Sequence, residues 1–404
     1  MNPLFETQKI MLSHFQKNPF YHRKAFDTLT LDNHITGIVG SRGIGKTTLL
    51  LHHALKNGAL EGKALYASLD HLFFLDNPLM PLIDQLYKET DVRLLYLDEI
   101  HKYENWTQIL KNSADIYPDL RIVFSGSSTI DLLHGKYDLS RRVTLIPLQG
   151  FSFREYLEFT LNRTFPSLTL PTLMADHVAF ANALDVPEVL KEFKRYLRVG
   201  YYPFFKTLSQ DWEKFQAIEN TTQKTIYEDI AIFKSLKTPT LAVLEKLYKY
   251  VLISPPGELS ASKLANTLSK DFESVSEYLS LLKQAGLIRF LWPKPTGKAA
   301  LRNPAKMYPD NTNLMYANHF TSPEDQWIGK VRETFALNQL QNAGASVYCP
   351  DTGDFQIGDL MLEVGGKNKT RKQIQHLDNA CLLTDGVLLG SKGVIPLYLL
   401  GFLS

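Results

Sequence analysis

The sequence predicts an α/β chain that begins with a parallel sheet flanked by helices. Between residues 35 and 146, four short apolar runs alternate with segments of helical periodicity. This alternation is typical of parallel strands joined by crossover helices. A glycine-rich loop lies between the first apolar run and the helix that follows it. Residues 148–237 are predicted to be mostly helical, and residues 296–404 return to a mixed α/β pattern.

The apolar runs are interpreted as buried strands, because parallel strands covered on both faces are almost continuously apolar. A fifth strand is predicted immediately before the helical region. The predicted strands are 35–39, 64–69, 93–97, 121–125 and 143–147.

The loop GSRGIGKT, from Gly40 to Thr47, matches the phosphate-binding pattern G-x-x-x-x-G-K-[ST] in full. It follows a predicted strand and precedes a predicted helix, so backbone N–H groups and the helix N-terminus can bind phosphate. Lys46 is predicted to contact the β- and γ-phosphates and to act in catalysis, and the Thr47 hydroxyl to bind Mg²⁺. The predicted nucleotide-binding residues are Gly40, Ser41, Arg42, Gly43, Ile44, Gly45, Lys46, Thr47 and Thr48.

An acid pair, Asp98 and Glu99, ends the third apolar run in RLLYLDEI. Asp98 is predicted to hold Mg²⁺ through its water shell. Glu99 is predicted to orient and deprotonate the attacking water. The alternative interpretation is that the pair caps a helix.

Two further features are predicted near the γ-phosphate. If the fourth strand lies between the first and the third, its polar end SGSS faces the phosphate, and Ser127 or Ser128 acts as a polar sensor. Arg141 or Arg142 then stabilises transition-state charge, in the same chain or from a neighbouring one. The alternatives are an ordinary turn for the serines and solvated surface residues for the arginines.

Composition excludes several classes of protein. The formal net charge of +2 does not imply a general electrostatic grip on nucleic acid or acidic membranes. The two cysteines form neither a metal-binding spacing nor a disulfide framework, which predicts a reducing compartment. Neither a signal peptide nor a membrane span is indicated, so a cytoplasmic protein is expected.

The blocks GSRGIGKTTLLL, LYLDEIHKYENW, VFSGSS and PLQGFSFREYL resemble the AAA-superfamily ATPases of bacteria and archaea that carry a C-terminal domain of unknown function. The similarity extends over nearly the whole chain. It implies an ATPase fold with ATP rather than GTP as nucleotide. The nucleotide residues that it implies are Gly40, Gly45, Lys46, Thr47, Asp98 and Glu99.

The remainder of the chain is predicted to form three further parts. A helical region is expected after the ATPase domain, followed by a winged-helix-like module of three helices and a strand. The last part, by the same resemblance, is similar to restriction-endonuclease-like α/β domains. The predicted domains are 1–147, 148–237, 238–295 and 296–404.

Nucleases of that fold use carboxylates to hold Mg²⁺ and a lysine to orient water. The matching positions here are Glu333, Asp354 and Glu363, with Asp359 as a further ligand. The lysine position, two residues after Glu363, is Gly365, and Lys367 is the nearest lysine along the sequence. This departure leaves an active nuclease, a nuclease-like fold kept for binding, and an unrelated α/β domain all open.

Three functions are compatible with the sequence. The first is an ATP-hydrolysing, Mg²⁺-dependent switch or motor acting on an unidentified protein or nucleic acid, and working as a homo-oligomer. The second is an ATP-binding interaction protein that does not hydrolyse, and the third is an ATP-regulated DNA nuclease. Sequence-specific DNA reading is not favoured, because the predicted recognition helix at 274–287 presents Glu277 and serines.

Overall fold

A computed structural model describes residues 3–17, 21–126, 142–234, 236–257, 259–295, 304–319 and 323–403. The chain divides into two compact units, Met1–Gln149 and Gly150–Ser404. The finer division into four domains stays a prediction.

The described residues of the first unit form a parallel five-stranded sheet with helices between its strands. Its strands are β1 (Ile35–Val39), β2 (Ala64–Ser68), β3 (Leu94–Asp98), β4 (Arg121–Gly126) and β5 (Val143–Pro147). Its helices are α1 (Pro3–Lys17), α2 (Lys46–Lys56), α3 (Phe73–Asp76), α4 (Leu79–Glu89) and α5 (Trp106–Ile116). Short 3₁₀ turns lie at Lys24–Thr28 and Ile100–Lys102.

The order of the strands is β2-β3-β4-β1-β5, so β4 lies between β1 and β3. This confirms the expectation of a central fourth strand. The registers are parallel throughout, with Val39 opposite Gly126 and Ser68 opposite Asp98. All the carboxyl ends therefore meet at one edge of the sheet, and loops that follow the strands gather there.

The outer strand β2 is covered on its free side by the side chain of Gln8 from α1. Gln8 accepts a hydrogen bond from the Tyr66 N–H and donates to the carbonyl of Ala59 at 2.8 Å. An unpaired backbone donor at a buried position is costly, and a side-chain amide can satisfy it. Gln8 is buried, and its contacts fix the position of β2 against α1.

The second unit begins with helices and ends with a mixed sheet. Its helices are α6 (Phe153–Leu161), α7 (Leu170–Ala183), α8 (Val189–Arg195), α9 (Asp211–Lys224), α10 (Ala231–Lys234), α11 (Thr238–Ile253), α12 (Ala261–Leu268), α13 (Phe272–Gln284), α14 (Thr312–His319) and α15 (Ile328–Asn342). Its strands are β6 (Ile288–Pro293), β7 (Lys306–Pro309), β8 (Tyr348–Cys349), β9 (Phe355–Ile357), β10 (Leu360–Gly365), β11 (Ala380–Thr384) and β12 (Val394–Pro396). Two π-helical turns lie at Tyr196–Gly200 and Thr225–Ile230.

In the described residues, the strands of the second unit are ordered β12-β11-β10-β9-β8-β6-β7. Three helices and a strand, α11 to β6, occupy the segment predicted to be winged-helix-like. Strand β6 pairs with both β7 and β8, so it also belongs to the mixed sheet. Near the end of the chain, Val394–Pro396 forms a strand and Leu397–Phe402 forms a buried 3₁₀ helix.

Candidate functional site

The glycine-rich loop joins β1 to α2 at the carboxyl edge of the first sheet. A side chain at Gly40 would meet the Leu148 carbonyl oxygen at 2.3 Å, so the backbone can pass there only as glycine. Gly45 has φ of 101°, a left-handed conformation that glycine adopts without strain, and it is the N-cap residue of α2. The loop from Gly40 to Thr47 therefore carries its backbone N–H groups around the N-terminus of a helix, as a phosphate site requires.

Lys46 lies in the first turn of α2, with its ammonium returned to the start of the loop. Its Nζ donates to the carbonyls of Gly40 at 2.8 Å and Ser41 at 2.9 Å. The side chain is buried. The lysine thus holds its charge beside the phosphate-binding backbone rather than in solvent.

The phosphate loop and the acid pair meet at Asp98. The Thr47 hydroxyl donates to Asp98 Oδ2 at 2.7 Å, and the Tyr66 hydroxyl donates to the same oxygen at 2.8 Å. The Ser125 hydroxyl donates to the other oxygen, Oδ1. Asp98 is only 3% exposed, so its carboxylate depends on these hydroxyls for hydrogen bonds. Residues from β2, β3, β4 and the first turn of α2 thereby converge on one carboxylate.

Glu99, the residue after Asp98, has a strained backbone conformation of the kind often found at functional sites. Its φ of 53° is left-handed, which costs a non-glycine residue about 1–2 kcal/mol. Its backbone N–H donates to the Ser125 hydroxyl at 3.0 Å. Its carboxylate oxygen Oε2 lies 3.4 Å from Nε2 of the buried His101. Ser125 and His101 therefore fix the backbone and the carboxylate of Glu99, respectively.

Tyr66 supplies a hydroxyl that keeps its proton. Burial, reinforced by the charge of Asp98, raises the pKa of Tyr66 far above its usual value. The phenol is consequently a permanent donor to Asp98. The neighbouring Tyr96, opposite it on β3, points elsewhere: its hydroxyl pairs with His53, and burial lowers the pKa of His53 to about 4.

The buried guanidinium of Arg23 also contacts the backbone of the phosphate loop. It donates to the carbonyl of Ile44 at 3.2 Å and to that of Gln149 at 2.8 Å. Ile44 belongs to the phosphate loop, and Gln149 is the last residue of the first unit. The loop and the residue that ends the unit are thus bound to the same side chain.

The sensor and arginine predictions have different outcomes. Ser127, Ser128 and Arg141 lie outside the described residues. Arg142 lies just before β5, at the amino end of the strand, where it pairs with Asp115 at 3.0 Å. A five-residue strand spans about 16 Å, so Arg142 does not reach the carboxyl edge of its own sheet. A role for Arg142 at a neighbouring chain's site stays a prediction.

A second cluster of titratable groups lies in the C-terminal sheet. Glu333 on α15, Asp354 before β9 and Glu363 on β10 influence one another electrostatically. Burial raises the pKa of Glu333, with the Asp354 carboxylate adding to the effect. Glu333 accepts a hydrogen bond from the Tyr308 hydroxyl at 2.7 Å, and Asp354 lies 3.6 Å from Lys306. Asp359 is exposed and lies 3.9 Å from Lys294, where it joins none of these contacts.

Lys369, rather than Lys367, is the lysine that accompanies Glu363. Its Nζ lies 2.6 Å from Glu363 Oε1, whereas Lys367 is exposed. The nearest lysine along the sequence, Lys367, is therefore not the one that makes this contact. Gly365 explains the substitution, because a Cβ at that position would lie 2.4 Å from Lys369 Cβ. Glycine at the expected lysine position makes room for a lysine from four residues further on.

Sequence reasoning missed Tyr66, Ser125, His101, Arg23 and Lys369. Ser125 and His101 each lie within two residues of a predicted site residue, so their proximity was a usable signal. Tyr66 and Arg23 are distant along the chain from Asp98 and from Ile44, and only strand pairing and packing bring them there.

The donors around Asp98 suit Mg²⁺, which prefers oxygen ligands and takes few of them from the protein. Asp98 offers a buried carboxylate and Thr47 a hydroxyl beside it. Within the described parts of the chain, no group of three or more His, Cys, Asp or Glu side chains could hold a metal ion by itself. A metal here would therefore need oxygens from a bound phosphate.

Comparison with known families agrees with this geometry. Residues 32–157 match a family model described as an AAA domain. This match supports a P-loop AAA-type fold for that segment. Residues 190–319 match a model described as a domain of unknown function (DUF8612), which runs across the boundaries predicted at 237 and 295.

Individual relatives add little on function. The chain is 29% identical over 387 residues to the uncharacterized protein MJ1637 of Methanocaldococcus jannaschii, covering 88% of this chain and 80% of that protein. A solved structure of replication initiator DnaA bound to AMPPCP and single-stranded DNA is 18% identical, with a TM-score of 0.28, covering 64% of this chain and 85% of that chain. AMPPCP-bound DnaA from Aquifex aeolicus is also 18% identical, with a TM-score of 0.25 and coverages of 69% and 88%.

None of the helices in the described parts of the chain has the length and apolar character needed to span a membrane.

Proposed function

We propose that this chain binds ATP with Mg²⁺ at the loop Gly40–Thr47 and hydrolyses it. The observation that carries the proposal is the 2.7 Å hydrogen bond from the Thr47 hydroxyl to Asp98. This contact joins the phosphate loop to the strand-end acid pair. Its support comes from the match of residues 32–157 to an AAA domain.

Each group of residues in the site has a separate role in the proposed hydrolysis. Loop N–H groups and the α2 N-terminus bind the phosphates, and Lys46 places its charge against the β- and γ-phosphates. Thr47 and Asp98 would hold Mg²⁺, which would supply positive charge to neutralise the phosphates. Glu99 accepts the proton of the attacking water at its carboxylate, which His101 orients.

We further propose that hydrolysis drives a switch or motor that acts on an unidentified protein or nucleic acid. We also propose that the chain assembles into a homo-oligomer, because Arg142 can contact a γ-phosphate only in a neighbouring chain. Size analysis with and without a non-hydrolysable nucleotide tests assembly, and nucleic acid that co-purifies with the protein is scored in the same samples.

The decisive experiment measures phosphate release by wild type and Glu99→Gln. General-base catalysis contributes about 10²–10⁴-fold, so turnover should fall by that order while calorimetric ATP binding persists. The matched control is Glu104→Gln, the same change at an exposed position five residues away. Equal low rates in wild type and Glu99→Gln would contradict hydrolysis and support the alternative, an ATP-binding interaction protein.

A second candidate function, ATP-regulated cleavage of DNA, is favoured by the 2.6 Å contact between Lys369 and Glu363. This pair restores the lysine that the sequence lacks at Gly365. A plasmid-cleavage assay with Mg²⁺ or Mn²⁺ should then depend on Asp354 and Lys369 but not on Lys367. Absence of cleavage in every nucleotide state would contradict this function.

A further inference from the structure

Tyr66 is held at both ends within the first sheet. Its backbone N–H donates to Gln8 of α1, and its hydroxyl donates to Asp98 Oδ2 at 2.8 Å. The side chain is buried, with 3% of its surface exposed. The phenol therefore has little freedom to move away from Asp98.

The oxygen that Tyr66 contacts is also the one that Thr47 uses. The Thr47 hydroxyl donates its hydrogen to Asp98 Oδ2 at 2.7 Å, which leaves its oxygen lone pairs to face a metal. Because the Thr47 O–H bond points at Oδ2, the position of Oδ2 determines the direction of the lone pairs on the Thr47 oxygen. Ser125 holds only the other oxygen, Oδ1. Oδ2 is consequently held by two hydroxyls, that of Thr47 on α2 and that of Tyr66 on β2.

We propose that Tyr66 is a positioning residue for the magnesium site: its hydroxyl fixes Asp98 Oδ2 and so determines how strongly Mg²⁺ enhances nucleotide binding. The inference rests on the proposed function, because it concerns the same site. It adds a residue from β2, a strand that contributes no recognised motif to nucleotide binding.

The expected size of the effect follows from the behaviour of metal sites generally. Removing a partner that orients a metal-ligating carboxylate typically costs about 10–100-fold in metal affinity or activity. Tyr66→Phe removes one oxygen and keeps the volume of the ring. The Tyr66 hydroxyl bonds Asp98, whereas the Lys46 ammonium bonds the carbonyls of Gly40 and Ser41, so nucleotide binding without Mg²⁺ should persist.

Tyr96 provides a matched control. It lies opposite Tyr66 in the register of β2 and β3, and it is equally buried. Its hydroxyl contacts His53 on α2 rather than Asp98. Tyr96→Phe therefore removes a buried phenol oxygen from the same sheet without touching the acid pair.

The experiment measures the dissociation constant of ADP by calorimetry, first in magnesium buffer and then in EDTA, for the full-length chain. The ratio of the two constants is the magnesium-dependent gain. We expect Tyr66→Phe to lower this gain about tenfold or more, and Tyr96→Phe to leave it at the wild-type value. A purely structural role for Tyr66 would lower the thermal unfolding midpoint but leave the gain unchanged, which would overturn the inference.

A rescue variant separates loss of the donor from loss of folding. Tyr66→para-aminophenylalanine keeps an N–H donor at the para position and should retain most of the gain. If Tyr66→Phe lost its near-ultraviolet circular dichroism, the rescue variant would decide alone: a wild-type gain supports the inference and a lost gain contradicts it. If wild type itself bound no nucleotide, the proposed function would fail, whereas a normal wild type with an unchanged Tyr66→Phe refutes only the role of Tyr66.

Discussion

The backbone N–H of Glu99 donates to the Ser125 hydroxyl at 3.0 Å, and that hydroxyl donates in turn to Asp98. One serine thus holds the backbone of the proposed base and the carboxylate of the proposed metal ligand. The contact exists because β4 pairs directly with β3, with Phe124 opposite Leu97. The central position of β4 therefore allows Ser125 to hold both Asp98 and Glu99 in place.

Ser125→Ala should lower phosphate release by about 10–100-fold, since hydrogen bonds to charged groups contribute roughly 1.5–3 kcal/mol. The Glu99 N–H would also lose its partner. Ser113→Ala is the control, because Ser113 is equally buried but donates to Ile109 and Met80. Steady-state kinetics at saturating ATP measure the effect. Similar rates for both variants would refute a role for Ser125 in placing the acids.

Lys46→Ala should weaken ATP binding by about tenfold or more, because the charge of the β- and γ-phosphates is then uncompensated. Lys56→Ala, at the exposed C-terminal end of the same helix, removes an equal charge and should bind normally. Calorimetry in magnesium buffer supplies both constants. Normal binding and turnover by Lys46→Ala would show that the phosphate site has been assigned wrongly.

Lys369→Ala should destabilise the protein more at pH 8 than at pH 5. Burial raises the pKa of Glu363, and the Lys369 ammonium opposes that rise. Because the folded pKa lies above the unfolded value, stability falls as pH increases through the interval between them. Removing Lys369 raises the folded pKa further and widens the interval. Thermal unfolding midpoints at the two pH values measure this.

The comparison for that prediction is Lys367→Ala, which changes the same charge at an exposed position. It should shift both midpoints little. A pH-dependent loss that is the same for the two lysine variants would mean that the ion pair of Glu363 and Lys369 does not contribute to stability.

Lys330→Met should remove a dependence of stability on alkaline pH. Burial lowers the pKa of Lys330 to about 7, and its ammonium donates to the carbonyls of Leu252 and Ser254 at the end of α11. The unfolded chain binds the proton up to about pH 10.4, so wild-type stability gains up to about 1.4 kcal/mol per pH unit between pH 7 and pH 10 from this group. Below pH 7 the contribution is constant.

Urea unfolding of wild type and Lys330→Met at pH 7, 8 and 9 measures this slope. The difference between the two free energies of unfolding should move in favour of wild type as pH rises. Parallel curves for the two proteins would show that Lys330 keeps an ordinary pKa in the folded state.

Local patterns in the sequence were sufficient for the first sheet and for its phosphate loop. Buried parallel strands are apolar along their whole length, and the loop needs glycines at fixed spacings, so both leave direct traces.

Contacts made across the fold were not accessible in this way. Tyr66 reaches Asp98 because Ser68 is in register with Asp98, and a register is not written in either strand alone. Lys369 rather than Lys367 contacts Glu363, because Gly365 leaves room for the chain to return towards β10. This contact depends on the path of the backbone and not on sequence spacing. Arg142 was predicted to act at a γ-phosphate of its own chain or of a neighbouring one, and it lies at the amino end of β5, away from the carboxyl edge of its own sheet.

The amide of Gln8 has a consequence for truncated forms of the protein. Strand β2 is an outer strand, and an uncovered outer strand is a template on which another chain can pair. A fragment beginning after Lys17 would leave the Tyr66 N–H without Gln8. Such a fragment is expected to self-associate by strand addition. Helix α1 therefore prevents aggregation at β2, in addition to supporting the Tyr66 side chain through its backbone.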